Sequence, residues 1–485
     1  MHIISLRLVT AVTLICTTPH VFADTLAIVG GRVMDPESGL DAVRHVLIED
    51  GRIIDISSSL PAADQTLDAD GLVVAPGFID LHAHGQDLPS NRFQAADGVT
   101  TALELEIGTW PVQRYYQMRK GKALLNYGST VSHVVARHAA VQGHEDVTTN
   151  LMGYMQSAFS APSARQVISQ TELDYALSLM REGMQHGALG FGFGISYTPG
   201  ASHNEIYQAF AEAAGLQAPV FVHMRNADSM SDDRLAPIQE VIANAFATGA
   251  SLHIVHLNSS TDEAARPALG MIRAAQNAGL DITTESYPYT AGSTLIESAA
   301  FDKWDSDYGR LQWAATGERL TKETFEKYRA EGGAVIIHGR SEITNTWLVS
   351  QADVIVASDG ISFARGAAHP RGAGTYARVL GHYVREVQAL DLMTALTKMT
   401  LLPARRLQGI APSMQRKGRV QIGADADLTI FDPDKVIDKA TYLDSMQFSE
   451  GIEHVLVNGV AVVRNGELID GVYPGQPVFG RLKAD

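Results

Sequence analysis

The chain has 485 residues, 45% hydrophobic and 19% charged, which fits a globular protein with a large core and excludes a disordered or fibrous one. Lys and Arg number 38 against 54 Asp and Glu, and the formal net charge of −16 repels phosphate backbones, which excludes nucleic acid as a partner. The length predicts a large barrel with a smaller companion domain.

Residues 1–23 read as an export signal. Arg7 is the only formally charged side chain before Asp24, Leu8 to Thr17 form a short apolar run, and Val21-Phe22-Ala23 suits signal peptidase. The run is too short to span a bilayer. The expected protein is therefore exported, periplasmic or secreted, with no membrane attachment after signal removal; the alternative is a frayed helix of a cytosolic protein. Cys16 is the only cysteine and lies in this segment, so the mature chain offers no disulfide, thiol catalyst or thiolate ligand.

Residues 24–75 and 403–485 are rich in short strands and turns, among them Val46-Leu47-Ile48 and the hairpin signal Asn458-Gly459. They predict one small β-sandwich domain assembled from both chain ends. Between them, residues 76–402 alternate apolar runs with helical stretches. The strand candidates are Ala75–Leu81, Thr100–Ile107, Thr130–Ala136, Gly187–Gly192, Val220–His223, Leu252–His256, Ile282–Tyr287 and Val354–Ser358. Eight runs at this spacing predict a TIM-type (β/α)8 barrel. The irregular stretch at about 290–350 predicts an insertion or lid over the barrel mouth, with helical material at Lys322–Ala330 and a ninth apolar run at Ala334–His338.

The first barrel strand ends in His82 and His84, spaced i and i+2, so both imidazoles face one side at the mouth. Two imidazoles there suit a divalent transition metal; the alternative is a surface pair in a turn. His223 and His256 end two later strands. His253, three residues before His256, is expected to face the other way and to be structural. Asp359 follows the last strand, where a carboxylate binds metal, acts as general base or caps a turn. In Leu103-Glu104-Leu105-Glu106-Ile107 the leucines share one face and the glutamates the other, so both glutamates point into the barrel. Buried unpaired carboxylates are costly. A metal would stabilise Glu106, nearest the mouth, with Glu104 behind it; an ion pair inside the barrel is the alternative.

The ordered set of motifs resembles the D-aminoacylase (N-acyl-D-amino-acid deacylase) branch of the amidohydrolase superfamily. Pro76–Gly85, Gly98-Val99-Thr100-Thr101, Gly194–Ala201, His223-Met224-Arg225, His256-Leu257, Tyr287–Thr294, Ser358-Asp359-Gly360 and His369-Pro370-Arg371 all follow in family order. The resemblance implies one or two Zn2+ ions held by His82, His84, His223 and His256, with Asp359 as catalytic base. It implies Arg371 as reader of a substrate carboxylate, Tyr197 near the scissile carbonyl, and Ser293 and Asn258 as further substrate contacts. Two positions depart from the family pattern. Glu106 stands where typical members carry a cysteine ligand, and Asn258 stands where they carry a lysine. The implied activity is hydrolysis of the amide of N-acyl amino acids, D-isomers favoured, through a metal-activated water; the substrate is a small anionic or peptide-like molecule. Rival readings are a dipeptidase, a cyclic amidase or a deaminase. A non-catalytic exported binding protein is a further rival, but binding alone needs no base such as Asp359.

Overall fold

The computed structural model describes residues 25–144, 147, 151–225 and 234–484. The export signal expected at 1–23 lies outside the described residues. Among the described residues no helix is long and apolar enough to cross a membrane.

Eight strands pair in parallel and in chain order: β1 (Phe78–Asp80), β2 (Val99–Thr109), β3 (Asn126–Ser132), β4 (Phe191–Gly194), β5 (Val220–His223), β6 (Leu252–Ile254), β7 (Ile282–Ser286) and β8 (Val354–Val356). The ring closes just past β1 and β8. Ala83 bridges Gly360, the Gly85 N–H donates to the Gly360 carbonyl at 3.0 Å, and the Ser358 N–H donates to the buried Asp80 carboxylate at 3.1 Å. The outward side chains Leu103, Leu105, Val131 and Val220 share one apolar cluster with Val135, Met180, Phe210, Val241 and Leu269 of the surrounding helices. Each such burial is worth about 1.5–3 kcal/mol. The fold is a TIM-type barrel, and the leucine face of β2 is what turns Glu104 and Glu106 inward.

The third strand lies earlier than the run Thr130–Ala136 suggested. Ser132 accepts the Val135 N–H and caps a helix, His133–Gln142, so Val134 and Val135 are helical despite their β-branched side chains. The fourth strand starts at Phe191 rather than Gly187.

Both chain ends build a separate nine-stranded sheet. It contains Leu26–Asp35, Leu40–Glu49, Arg52–Ser57, Gln65–Asp68 and Val73–Pro76 from one end, and Leu428–Phe431, Ile452–Val457, Val460–Arg464 and Glu467–Leu468 from the other. Val46, Ile48 and Ile53 share a cluster with Ile430 and Leu456, which are not their sheet neighbours, so the sheet curls over itself. The first expected run, Ala75–Leu81, is divided between the two units. Val73–Pro76 pairs with Leu428–Phe431, and Phe78–Asp80 enters the barrel. Gly77 makes the transfer because a Cβ there would fall 2.2 Å from Thr100 Oγ1.

Between β7 and the helix Glu342–Ser350 lies a three-stranded antiparallel sheet, Gly292–Leu295, Leu311–Trp313 and Ala334–Ile337, with the helix Lys322–Glu331. It has its own small core, in which Trp313 stacks on Tyr328 at 4.3 Å. Gly292, Thr294, Trp313 and Ile337 of this sheet share a cavity wall with the residues at the barrel mouth.

Candidate metal centre

Six side chains converge at the C-terminal ends of the strands. His82 and His84 come from the segment just after β1, and Glu106 comes from β2. His223 ends β5, His256 follows β6 and Asp359 follows β8. Glu106 is at their centre, 2% exposed. Its Oε2 lies 3.0 Å from His82 Nε2 and 3.0 Å from His84 Nε2. Its Oε1 lies 2.5 Å from His223 Nδ1 and 3.2 Å from His256 Nε2. One carboxylate therefore spans two histidine pairs. Asp359 Oδ1 faces the first pair, 3.4 Å from His82 Nε2 and 3.5 Å from His84 Nε2. The result is two sets of donors, His82/His84/Glu106/Asp359 and Glu106/His223/His256, each with its ligand atoms within 4.8 Å of one another.

The outer ring nitrogens explain why a cation belongs here. His82 Nδ1 meets Glu285 at 2.6 Å, His84 Nδ1 meets Glu104 at 2.8 Å, and His256 Nδ1 meets Ser260 Oγ at 3.1 Å. A carboxylate accepts only, so the Nδ1 atoms of His82 and His84 carry the hydrogens. Neutral rings would then present lone pairs to Glu106 and to each other, with His82 and His84 Nε2 only 3.2 Å apart. A cation must lie between them, either protons or a metal ion. Burial opposes charge on His82, but Asp359, Glu106 and Glu285 outweigh it and raise its pKa well above the usual 6.5; His84 is raised likewise, against burial, by Glu104 and its neighbours. Glu106 is held well below the usual carboxylate range, because the surrounding histidines overcome its burial. A nitrogen and oxygen donor set without sulfur, enclosed and negatively charged, fits Zn2+ or a similar divalent ion.

Two of these residues leave ordinary backbone geometry. His256 has φ +32° and Asp359 φ +53°, both in the left-handed region that non-glycine residues avoid. Each turns its side chain back over the mouth just as its strand ends. This explains His253. Regular alternation stops at Ile254, so His253 also faces the interior, where its Nε2 meets Glu285 at 3.0 Å and its Nδ1 meets Thr283 at 2.8 Å. The expectation that it faces away from His256 is corrected, while its supporting role stands. Glu285, not singled out in the sequence, links His82 to His253 beneath the site, and its pKa is about 2 because the two histidines overcome its burial. An acidic residue inside a buried barrel strand was the signal that could have found it, as it was for Glu106. Glu104 holds His84 and accepts weakly from the Ile107 and Gly108 N–H groups at 3.3 Å.

The remaining expected residues divide. Tyr197 lines the cavity, packs its ring 5.0 Å from that of His223 and shares a 2.9 Å hydrogen bond with Thr294 Oγ1. Burial and the Glu106 charge push its phenol upward, so it stays a neutral donor. Arg371, 1% exposed, pairs with Asp359 at 2.8 Å, donates to the Ser293 carbonyl at 3.0 Å and lies 4.6 Å over the Tyr287 ring. Burial opposes ionisation of Asp359, but Arg371 and the histidines outweigh it and hold the acid well below its usual range. Ser293 lines the cavity, with its hydroxyl donated to the Val335 carbonyl at 2.9 Å. Asn258 does not line it. Its amide donates to the Tyr287 carbonyl at 2.9 Å and to Asn345 Oδ1 at 3.0 Å, because the short helix Leu257–Thr261 begins there and turns it toward β7.

The barrel, the enclosed donor set and the adjacent carboxylate define a metal-dependent hydrolase. The amidohydrolase family model matches residues 65–463, and the chain belongs to that family. It is 29% identical over 454 residues to the N-acyl-D-glutamate deacylase of Alcaligenes xylosoxydans xylosoxydans, covering 84% of this chain and 89% of that protein. It is 27% identical over 443 residues to the D-aminoacylase of the same organism, covering 81% and 84%. Among solved structures it resembles the N-acyl-D-glutamate deacylase of Bordetella bronchiseptica, complexed with zinc and a phosphonate mimic of the reaction's tetrahedral intermediate. The TM-score is 0.79 at 26% identity, over 94% of this chain and all of that one.

Proposed function

We propose that this protein is an exported, metal-dependent deacylase that hydrolyses N-acyl-D-amino acids to a carboxylate and a free amino acid. The observation that carries the reading is the convergence of four histidines on Glu106, with Asp359 beside them, in the wall of one cavity of about 1430 Å³. Ten of that cavity's lining side chains are Lys or Arg and only five are Asp or Glu, in a chain of net charge −16. A basic cavity in an acidic protein favours an anionic substrate.

His82, His84, Glu106 and Asp359 would hold one ion, and Glu106, His223 and His256 a second. Such an ion supplies Lewis acidity, polarising the carbonyl and making water easier to deprotonate. Asp359 takes a proton from the attacking water as its oxygen bonds to the carbonyl carbon. Tyr197, kept neutral, donates a hydrogen bond to the carbonyl oxygen as negative charge develops there. Asp359 then returns the proton to the amide nitrogen, and the C–N bond breaks to leave the amine and the carboxylic acid, which ionises by losing the water's second proton to solvent or to the amine. Arg371 orients Asp359 through the contact at 2.8 Å. Glu104 and Glu285 fix the tautomers of His84 and His82.

Export rests on the composition of residues 1–23, and the division into 24–75 with 403–485 against 76–402 is part of the same reading. The test is a panel of N-acetyl- and longer N-acyl-amino acids in both enantiomers, with zinc supplied. Turnover of D-isomers and not L-isomers is expected. Turnover of cyclic amides alone would replace this reading with a cyclic amidase.

A further inference from the structure

At least five of the ten cationic side chains around the cavity have a carboxylate partner among the described residues. Arg371 is paired with Asp359 at 2.8 Å, Arg225 with Glu240 at 3.0 Å, and Arg165 with Asp302 at 2.6 Å. Arg340, like Arg119, Lys122 and Arg365, has no carboxylate partner among the described residues, and of these four only Arg340 hydrogen-bonds the turn that follows His256. It lines the cavity between the strand Ala334–Ile337 and the helix Glu342–Ser350. Its Nη2 donates to Ser259 Oγ at 2.8 Å, and its Nη1 makes only a long 3.5 Å contact with the Ile337 carbonyl. Most of the N–H groups of its fork remain uncommitted.

Its position is set on two sides. Ser259 belongs to the turn that begins at His256, and its N–H donates to the His256 carbonyl at 2.9 Å. On the other side the guanidinium rests on Gly292, where a Cβ would fall 2.6 Å from both Nη atoms. The two residues after Gly292 reach the site directly. The Ser293 carbonyl accepts from Arg371, and Thr294 Oγ1 hydrogen-bonds Tyr197. Arg340 is thus fixed against the same short strand that touches Arg371 and Tyr197. It carries a positive charge that nothing described answers. Arg371, whose charge is taken up by Asp359, is poorly placed to be the main anion reader.

We propose that Arg340 binds the free α-carboxylate of the substrate and makes the enzyme select anionic N-acyl amino acids over their neutral analogues. This rests on the deacylase reading above. A planar fork suits a carboxylate in a two-point contact, and the lost contact corresponds to about 10- to 100-fold in affinity. Gly292 is the positioning residue, because any side chain there would displace the guanidinium.

The experiment compares the zinc-loaded wild type, Arg340→Met, Arg340→Lys and Gly292→Ala on N-acetyl-D-amino acids and on the matching α-carboxamides. The wild type should prefer the acids. Arg340→Met should raise KM for the acids by about 10- to 100-fold with kcat within a few-fold, and should bring the acid-to-amide ratio near one. Arg340→Lys should recover part of the preference, and Gly292→Ala should shift it in the same direction as Arg340→Met, all with unchanged zinc content. A wild-type acid-to-amide ratio in Arg340→Met overturns the proposal. If Arg340→Met does not fold, the ratio in the other two variants decides. If the wild type turns over no member of the panel, the deacylase reading falls. Calorimetric binding of the same acids and amides to wild type and variants then judges Arg340 alone: an acid preference lost on substitution supports it, and equal or absent binding overturns it.

Discussion

Replacing Glu106 by Gln keeps the size of the side chain and removes the charge that both histidine pairs face. The Oε2 contacts at 3.0 Å and the Oε1 contacts at 2.5 and 3.2 Å involve all four imidazoles. A substituted group that only supports a ligand lowers metal affinity about 10- to 100-fold, so the loss of a shared charged ligand should reach at least about 100-fold. By linkage, a 100-fold weaker affinity removes about 2.7 kcal/mol of the stabilisation conferred at a fixed excess of zinc. The assay is thermal unfolding of metal-stripped protein titrated with zinc, with metal content by mass spectrometry after dialysis. Glu104→Gln, which touches the outer nitrogen of His84 and two backbone N–H groups but none of the inward nitrogens, should lose less. If Glu106 were simply the partner of protonated histidines, the outcome would differ. The metal-free variant would itself be destabilised, by about 3–5 kcal/mol for a broken buried pair, and the zinc-dependent shift would stay at its wild-type size. That result would refute the reasoning.

Other perturbations separate the remaining roles. Asp359→Asn should lower kcat by at least about 100-fold, the scale of a general base, as read by steady-state turnover beside metal content. Glu285→Gln replaces the carboxylate on the outer nitrogen of His82 by a neutral amide and should weaken zinc binding by about 10- to 100-fold, measured by competition with a chelator. Zinc affinity should fall as pH drops, because His82 and His84 bind protons readily and protons compete for the same lone pairs; affinity unchanged between pH 8 and 6 would contradict this. Glu37, held at about 2 by Arg419 against an ordinary 4.5, tests the union of the two chain ends. Its depressed value stabilises the fold above pH 4.5, and that contribution disappears as pH falls toward 2. Glu37→Gln should therefore cost at most about 1 kcal/mol at pH 7, since Glu37 itself is exposed although Arg419 is buried, and nothing near pH 2, by calorimetry of metal-free protein.

The strand-borne part of the site was legible because alternation is a local rule. His82 and His84 two residues apart, the inward Glu104 and Glu106, and His223 at a strand end all follow from period two. What alternation could not show begins where the strands stop. His253 and His256 share the interior because His256 adopts φ +32°, a turn that depends on the packing around β6. Asn258 follows a metal-site histidine in sequence, yet one helical turn carries it behind the wall. Val134 and Val135 suggested a strand until the Ser132 cap is considered. Glu285 carried the same mark as Glu106, an acid in a buried strand, but its partner His82 lies 203 residues away in the chain. Arg340 lies in the insertion, where no periodic pattern points to the barrel mouth.

Metal dependence is the claim on which the rest stands, and zinc reconstitution tests it most directly. The purified protein, stripped by a chelator and dialysed, would be titrated with zinc while turnover of an N-acyl-D-amino acid is followed. Activity should vanish on stripping and return with one to two equivalents of zinc per chain. Undiminished turnover by protein free of any transition metal would contradict the account.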